Sequence, residues 1–216
     1  MEGQIAALFD LDGVVVDTES QYTEFWGIQN DKYLPNSPNM RNEIKGSTLS
    51  QIYNKYFKDQ KDIQDKITKE LNIFESKMEY QYIDGVINFF KDLKKNKVKM
   101  AIVTSSNDEK MKSVYLRHPE LKGFFDCIIT ADKITKSKPN PECYVKAADE
   151  LGVPYSNCYV FEDSFAGLSA GMNAKMTVVG LATTNKADDI KDKCNHVIPT
   201  FKDFTYKNLL TINHIN

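Results

Sequence analysis

The sequence IAALFDLDGVVVD, residues 5–17, is an apolar run that carries two carboxylates, Asp10 and Asp12, at the point where it ends. An apolar run of this kind predicts a buried strand. Two unpaired carboxylates are expensive to bury side by side, because each loses its hydration and repels the other. The stretch therefore indicates either a solvated strand end or a place where a positively charged group binds.

The composition is that of an ordinary globular chain. Of 216 residues, 41% are hydrophobic and 27% are charged, and the formal net charge is −2. No apolar stretch approaches the ~20 residues that a membrane-spanning helix requires, and no export signal is visible at the N-terminus. The four cysteines are widely spaced, which is typical of reduced thiols. We therefore expect a monomeric, cytoplasmic protein that binds neither nucleic acid nor membrane.

From residue 83 onward, short apolar runs alternate with helical patterns. Residues 86–93 place apolar side chains on one helix face, and residues 98–104 then read as a strand. This alternation predicts parallel strands joined by right-handed crossovers, with helices on both faces of the sheet. We predict an α/β fold, a Rossmann-like doubly wound parallel sheet built from residues 1–16 and 83–216.

The segment from residue 17 to residue 82 has a different character. It is polar and rich in Tyr, Lys and Gln, and it contains no strand-like run. Tyr22, Phe25 and Trp26 lie at helical spacing, as do other apolar residues further along. We predict a small α-helical domain at residues 17–82, inserted after the first strand. Most of its aromatic side chains should form its own core, with one or two lining a substrate cavity.

Polar and charged side chains follow the predicted strands at their carboxyl ends, where open parallel sheets bind ligands. The first strand contributes Asp10 and Asp12. The later ones contribute Thr104, Ser105 and Ser106, then Lys136 and Lys138, then Glu162, Asp163 and Ser164. Such a set suits a divalent cation and a phosphate: the carboxylates Asp10, Glu162 and Asp163 would bind Mg²⁺. Thr104 with the following N–H groups would hold phosphate oxygens, and a lysine would add a compact positive charge.

The charges balance only with a metal present. A phosphate monoester dianion plus three ionised acids carries roughly −5, and Mg²⁺ with one lysine reduces this to about −2. Without the ion, repulsion between the carboxylates and the dianion would reach several kcal/mol. We therefore expect Mg²⁺ as the cofactor.

Four motifs in this order resemble those of the haloacid dehalogenase superfamily: FDLDGVVVDT at 9–18, VTSS at 103–106, KPNP at 138–141 and FEDS at 161–164. Order and spacing fit over nearly the whole chain. Within the superfamily, the chain is most similar to the β-phosphoglucomutase-like group of sugar and small-metabolite phosphatases. The helical insert resembles the cap domain of that superfamily, which implies a role in substrate specificity.

The resemblance implies a role for each motif residue. Asp10 would be the nucleophile that becomes an aspartyl phosphate. Asp12 would be the general acid and base, with its backbone carbonyl touching the metal. Lys138 is the motif lysine because it directly precedes the proline. Asp163 would bind the metal directly, and Glu162 directly or through water. The candidate catalytic residues are therefore Asp10, Asp12, Thr104 and Lys138, the candidate metal ligands Asp10, Asp12, Glu162 and Asp163, and the candidate substrate contacts Gly13, Thr18, Lys45, Gly46, Ser47, Thr48, Ser105 and Ser106.

The same resemblance leaves other activities open. Dehalogenases of the superfamily lack the second aspartate, so Asp12 favours phosphoryl chemistry. Sugar phosphomutases of the group resemble this chain in Thr18, but they carry a histidine where Tyr22 stands and a cap-loop arginine that residues 44–49 lack. We therefore expect hydrolysis of a small, sugar phosphate-like metabolite. A sugar phosphomutase is the alternative, and a non-catalytic phosphate-binding protein is a further one.

Overall fold

The computed structural model describes residues 3–37 and 40–212 of the chain. Its strands are β1 Ala6–Phe9, β2 Val16–Asp17, β3 Gln81–Tyr82, β4 Lys99–Val103, β5 Cys127–Ile129, β6 Cys158–Glu162, β7 Thr177–Leu181 and β8 His196–Ile198. Its α-helices are α1 Glu19–Tyr33, α2 Met40–Glu43, α3 Leu49–Tyr56, α4 Lys61–Lys77, α5 Val86–Lys95, α6 Asp108–Arg117, α7 Glu142–Leu151, α8 Phe165–Asn173, α9 Ala187–Ile190 and α10 Tyr206–Leu210. None of the helices in the described ranges is both long and apolar enough to cross a membrane.

Six strands form one sheet in the order β5-β4-β1-β6-β7-β8, and every neighbouring pair is parallel. The predicted α/β, Rossmann-like fold class is confirmed. Strand β1 lies between β4 and β6, with Phe9 in register with Ile102 and Phe161. Because the strands are parallel, the residues that follow β1, β4 and β6 meet at one edge of the sheet.

Both faces of β1 are buried, which explains why its sequence is apolar without alternation. Ala7 and Phe9 belong to one core cluster, in which Phe9 stacks on Phe161 with ring centroids 4.6 Å apart. Ala6 and Leu8 face the opposite cluster, under helices α7 and α8. The strand is therefore held on both sides, and the residues that leave its carboxyl end start from a rigid position.

Helices α1 to α4 pack around a separate apolar cluster, centred on Phe25, Trp26, Phe57 and Ile67. The aromatic residues that the helical spacing singled out are thus mostly core residues of this segment. Tyr22 is half-buried and lines a cavity. We call residues 19–77 the helical insert. Its boundaries as a domain, and its role as a cap, stay predictions.

A short antiparallel strand pair joins the two ends of the insert. Strand β2 pairs with β3, with Val16 opposite Tyr82 and Asp17 opposite Gln81. The expectation that residues 17–82 contain no strand is wrong at these positions. Each strand is two residues long, so neither shows the alternation that identifies a strand in a sequence; the pairing arises because the chain leaves and re-enters the core side by side.

Candidate active site

The loop after β1 brings Asp10 and Asp12 to the edge of the sheet. The backbone N–H of Asp10 continues the sheet by donating to the carbonyl of Phe161 at 3.0 Å. Gly13 then adopts a φ of 74°, and a Cβ at this position would overlap the carboxylate of Asp163. A glycine is therefore required here by both conformation and space. Its role as a substrate contact stays a prediction, whereas in the structure it lets the loop pass close to Asp163.

Three buried carboxylates meet at this edge. Asp10, Glu162 and Asp163 each offer an oxygen, and these oxygens lie within 4.8 Å of one another. Burial raises the pKa of Asp10 to about 7, against the lowering effect of Lys138, and burial also raises the pKa of Asp163 well above its usual range. No described residue donates a hydrogen bond to Oδ2 of Asp10 or Oδ1 of Asp163. Buried hard oxygens with free lone pairs fit a divalent cation such as Mg²⁺.

Lys138 is the cation that the protein itself places among these acids. Its Nζ lies 2.6 Å from Oδ1 of Asp10, 2.6 Å from Oε1 of Glu162 and 3.1 Å from the carbonyl of Val103. Burial alone would lower the pKa of Lys138, but the charges of Asp10 and Glu162 raise it well above its ordinary value. Lys136, the other candidate lysine of the loop, is exposed.

Glu162 is fully buried, and both of its oxygens are already used. Oε1 accepts from Lys138 and from the Tyr144 hydroxyl at 2.9 Å. Oε2 accepts from the backbone N–H of Asp163 at 3.0 Å and from the N–H and hydroxyl of Ser164, both at 3.1 Å. A direct bond to a metal would have to replace one of these contacts. The arrangement therefore suits a carboxylate that holds Lys138 and the turn after β6, with a metal contact through water.

Asp12 has a partner that the sequence analysis missed. The Nζ of Lys110 lies 2.5 Å from both oxygens of Asp12, and the Thr18 hydroxyl also donates to Oδ1. The Ser106 hydroxyl donates to Oδ2 at 3.0 Å. The side chain of Lys110 is only 2% exposed, whereas that of Asp12 is 19% exposed, so the ion pair is accessible from the Asp12 side. Four donor contacts hold the Asp12 carboxylate in one place.

A sequence signal for Lys110 existed. Helix α6 follows β4 and begins after an Asn107 N-cap, whose Oδ1 accepts the backbone N–H of Lys110 at 2.9 Å. Lys110 lies four residues before Val114 and next to Met111, on the buried face of this helix. A lysine on the inner face of a helix that starts at the active edge of the sheet indicates a charged partner inside.

A cavity of about 420 Å³ lies between this edge and the helical insert. The candidate residues on its wall are Asp10, Asp12, Lys45, Gly46, Ser47, Thr48, Ser105, Ser106, Lys138 and Asp163. The candidates that lie behind the wall are Gly13, Thr18, Thr104 and Glu162. Thr104 there accepts the backbone N–H of Ser106 at 3.0 Å, which shapes the loop that follows β4.

The insert contacts the core beside the cavity through the start of α3. The Ser105 hydroxyl donates to the carbonyl of Gly46 at 3.2 Å, and the hydroxyls of Thr48 and Ser137 lie 3.3 Å apart. Gln51 forms a capping box with Thr48 and also donates to the carbonyl of Lys138 at 3.0 Å. The N-terminus of this helix is therefore tied to the loop that carries the buried lysine.

The chain is similar to one family over most of its length. The family model described as haloacid dehalogenase-like hydrolase matches residues 7–181. Validoxylamine A 7'-phosphate phosphatase of Streptomyces hygroscopicus subsp. limoneus is 27% identical over 191 residues, which cover 86% of this chain and 89% of that protein. The putative phosphatase YhcW of Bacillus subtilis is 30% identical over 81% of each chain.

Solved structures agree with this match. A HAD hydrolase, family IA, variant 3, from Entamoeba histolytica superposes with a TM-score of 0.83 at 28% identity, covering 97% of this chain and 99% of that one. A β-phosphoglucomutase from Clostridium difficile superposes with a TM-score of 0.79 at 23% identity, covering 96% of each chain. At that identity the second match shows a shared fold.

Proposed function

The chain belongs to the haloacid dehalogenase-like hydrolases, and from that premise we propose that it hydrolyses a small, sugar phosphate-like metabolite in a Mg²⁺-dependent reaction through an aspartyl phosphate. It is a phosphoric monoester hydrolase, in keeping with the phosphatases among its curated relatives. The observation that carries the proposal is the meeting of Asp10, Asp163 and Lys138 on the wall of a cavity large enough for such an ester.

Asp10, Asp163 and the backbone carbonyl of Asp12 would hold Mg²⁺, with Glu162 contributing through water. When bound, the ion would offset the carboxylate charge and polarise the phosphoryl oxygens. Lys138 would add a fixed positive charge from the protein side. The backbone N–H of Ser105, in the loop that leads into α6, would donate to a remaining phosphoryl oxygen, since the N–H of Ser106 already donates to the Thr104 hydroxyl.

Asp10 would attack phosphorus through one of its two carboxylate oxygens. The bond between phosphorus and the leaving oxygen breaks as the aspartyl phosphate forms, and Asp12 in its acid form gives that oxygen a proton. Asp12 then takes a proton from water, which attacks the same phosphorus and releases inorganic phosphate and free Asp10. The contacts of Asp12 with Thr18, Ser106 and Lys110 would keep its side chain at the cavity wall, and Lys110 would give up its contact with whichever oxygen carries the proton in the first step.

The helical insert would act as a lid over this chemistry. Its contacts through Gly46, Thr48 and Gln51 reach the core loops at 105 and 137–138. The chain crosses between the two parts at the β2–β3 pair, which would serve as the hinge. On this view residues 17–82 form the lid domain and residues 1–16 and 83–216 the catalytic core. Closure would exclude water until the aspartyl phosphate has formed.

The mutase alternative is less well supported by the residues at the lid. Where mutases of the group are expected to carry a histidine, Tyr22 donates its hydroxyl to Glu75 at 2.7 Å. Lys45, which could replace the missing arginine of the cap loop, lies 3.7 Å from a carboxylate oxygen of Glu19. Water is therefore the better-supported phosphoryl acceptor.

Turnover of p-nitrophenyl phosphate and of a panel of phosphorylated metabolites, with and without Mg²⁺, tests the proposal. Asp10→Asn should abolish activity because it keeps the shape and removes the nucleophile. Lys138→Met should abolish it too, whereas Lys136→Met, in the same loop but exposed, should leave it intact. Activity in Asp10→Asn would contradict the proposal, and so would isomer formation from hexose 1-phosphates with little phosphate release.

A further inference from the structure

Glu75 is a nearly buried carboxylate on the wall of the substrate cavity. It lies on α4, in the helical insert, and is only 6% exposed, yet it lines the cavity. The Tyr22 hydroxyl donates to its Oε1 at 2.7 Å. Within residues 3–37 and 40–212, no donor and no cation contacts its second oxygen, Oε2, and this oxygen keeps accessible surface on the cavity side.

The positive charges of the cavity do not compensate Glu75 directly. Three cavity lysines are each paired with another carboxylate: Lys138 with Asp10, Lys110 with Asp12, and Lys45 with Glu19. Arg41 also lines the cavity, but it is exposed. Glu75 therefore faces the cavity with one oxygen available.

A ligand that fills the cavity would remove this oxygen from water, so such a ligand must offer it a hydrogen bond or leave a buried carboxylate oxygen unsatisfied. Burial raises the pKa of Glu75, against the lowering effect of the Lys110 charge, which agrees with this incomplete environment. The missing group must be a hydrogen-bond donor, because a carboxylate oxygen accepts. A second phosphate or carboxylate on the ligand would be repelled there.

The position of Glu75 indicates that the hydrogen-bond donor for its Oε2 belongs to the leaving group of the substrate. Lys110 contacts both oxygens of Asp12 and also lies over the Tyr22 ring, 4.5 Å from its centroid. Tyr22 in turn contacts Glu75, so a continuous chain of contacts links Glu75 to the residue that would protonate the leaving oxygen. Because the Lys110 charge already acts on Glu75, a neutral hydroxyl fits better than a second ammonium group.

Resting on the proposed phosphatase function, we propose that Glu75 accepts a hydrogen bond from a hydroxyl of the leaving group and thereby selects phosphate esters of polyols or sugars. Esters of plain alkyl alcohols lack this donor and leave Oε2 unsatisfied in the closed cavity.

The test compares kcat/KM for glycerol 3-phosphate and n-propyl phosphate, whose leaving groups differ in two hydroxyls. The wild-type protein should favour the glycerol ester by about tenfold or more, which corresponds to about 1.4 kcal/mol. In Glu75→Met this ratio should fall to near one, and in the isosteric Glu75→Gln to an intermediate value. Glu70→Met removes a carboxylate from the same helix outside the cavity and should keep the wild-type ratio. The ratio is informative even when a variant is partly inactive, because loss of active protein lowers both rates equally.

Thermal unfolding gives a second readout, independent of turnover. Glu75→Met should match or exceed the wild-type melting temperature, since it removes a poorly compensated buried charge. An unchanged ratio in Glu75→Met, or a wild-type preference for n-propyl phosphate or 2-aminoethyl phosphate over the glycerol ester, would overturn the inference while leaving the phosphatase function standing. Absence of turnover even on p-nitrophenyl phosphate would instead refute the phosphatase function, and this inference with it.

Discussion

Removing Lys138 should destabilise the protein, and removing the charge of Glu162 in addition should restore much of the loss. The two side chains are 2% and 0% exposed, and their charged atoms lie 2.6 Å apart. Lys138→Met keeps the length of the aliphatic chain and removes the ammonium group. It leaves Glu162 and Asp10 as buried carboxylates with no cation between them.

The expected magnitude follows from this burial. Breaking a buried ion pair by deleting one partner costs about 3–5 kcal/mol, because the other charge stays buried and uncompensated. A chain of this size loses about 2–4 °C in melting temperature per kcal/mol. Lys138→Met should therefore lower the melting temperature by about 6–20 °C in metal-free buffer.

In the double variant Lys138→Met/Glu162→Gln, no charge is stranded at residue 162. The amide oxygen of Gln can still accept from Asp163 and Ser164, and its NH₂ group can donate to the Tyr144 hydroxyl. At least half of the lost free energy of unfolding should return, although activity should not. The matched control Lys136→Met, at an exposed position of the same loop, should change the melting temperature by less than about 2 °C.

Chemical and thermal unfolding in the presence of EDTA, followed by circular dichroism, measures all four proteins. A double variant no more stable than Lys138→Met alone would show that Glu162 does not depend on Lys138 for its charge balance. A Lys138→Met protein as stable as the wild type would mean that solvent compensates the carboxylates that the substitution leaves behind. That result would refute the view that they are buried with Lys138 as their counter-charge.

Three further predictions concern the metal, the acid and the lid. Mg²⁺ at about 100 times its dissociation constant should raise the free energy of unfolding by about 2.7 kcal/mol, and Asp163→Asn should remove this stabilisation. Equal stabilisation of the variant would mean that the ion binds elsewhere. Lys110→Met should lower kcat/KM about ten- to a hundredfold more for alkyl phosphates than for p-nitrophenyl phosphate, because a poor leaving group depends most on a well-placed Asp12. Equal losses on both substrates would indicate that Lys110 has a purely structural role. Gln51→Glu keeps the acceptor for the Thr48 N–H but loses the donor to the Lys138 carbonyl. KM for the metabolite should therefore rise about two- to tenfold. An unchanged KM would mean that this contact does not help to close the lid.

Most of the fold was predictable because its elements carry their own periodicity. The helix over 86–95 and the strand at 99–103 both appear where apolar spacing indicated them. The β2–β3 pair was not predictable in the same way. Two residues contain no period, and their pairing depends on where the insert returns to the core.

The residues of the candidate site were also predictable only in part. Asp10, Lys138, Glu162 and Asp163 could be grouped from the sequence, because parallel strands bring their carboxyl ends together whatever lies between them. Lys110 was missed, although its place on the inner face of α6 was a readable signal. The sequence could not show how hydrogen bonds are distributed within this group. In the structure Glu162 accepts from five donors, whereas Asp10 does not.

The sequence by itself determined the order of the elements, the parallel sheet and the acids at its edge, because these depend on short-range spacing and on the chirality of strand connections. Only the tertiary structure decided which cation each acid receives and that Glu75 is left with a free oxygen facing the cavity. Charge pairing depends on distances of a few ångströms between residues such as Asp12 and Lys110, which lie 98 positions apart in the chain. No local pattern encodes such a distance, because it is the outcome of packing helix α6 against the carboxyl edge of the sheet.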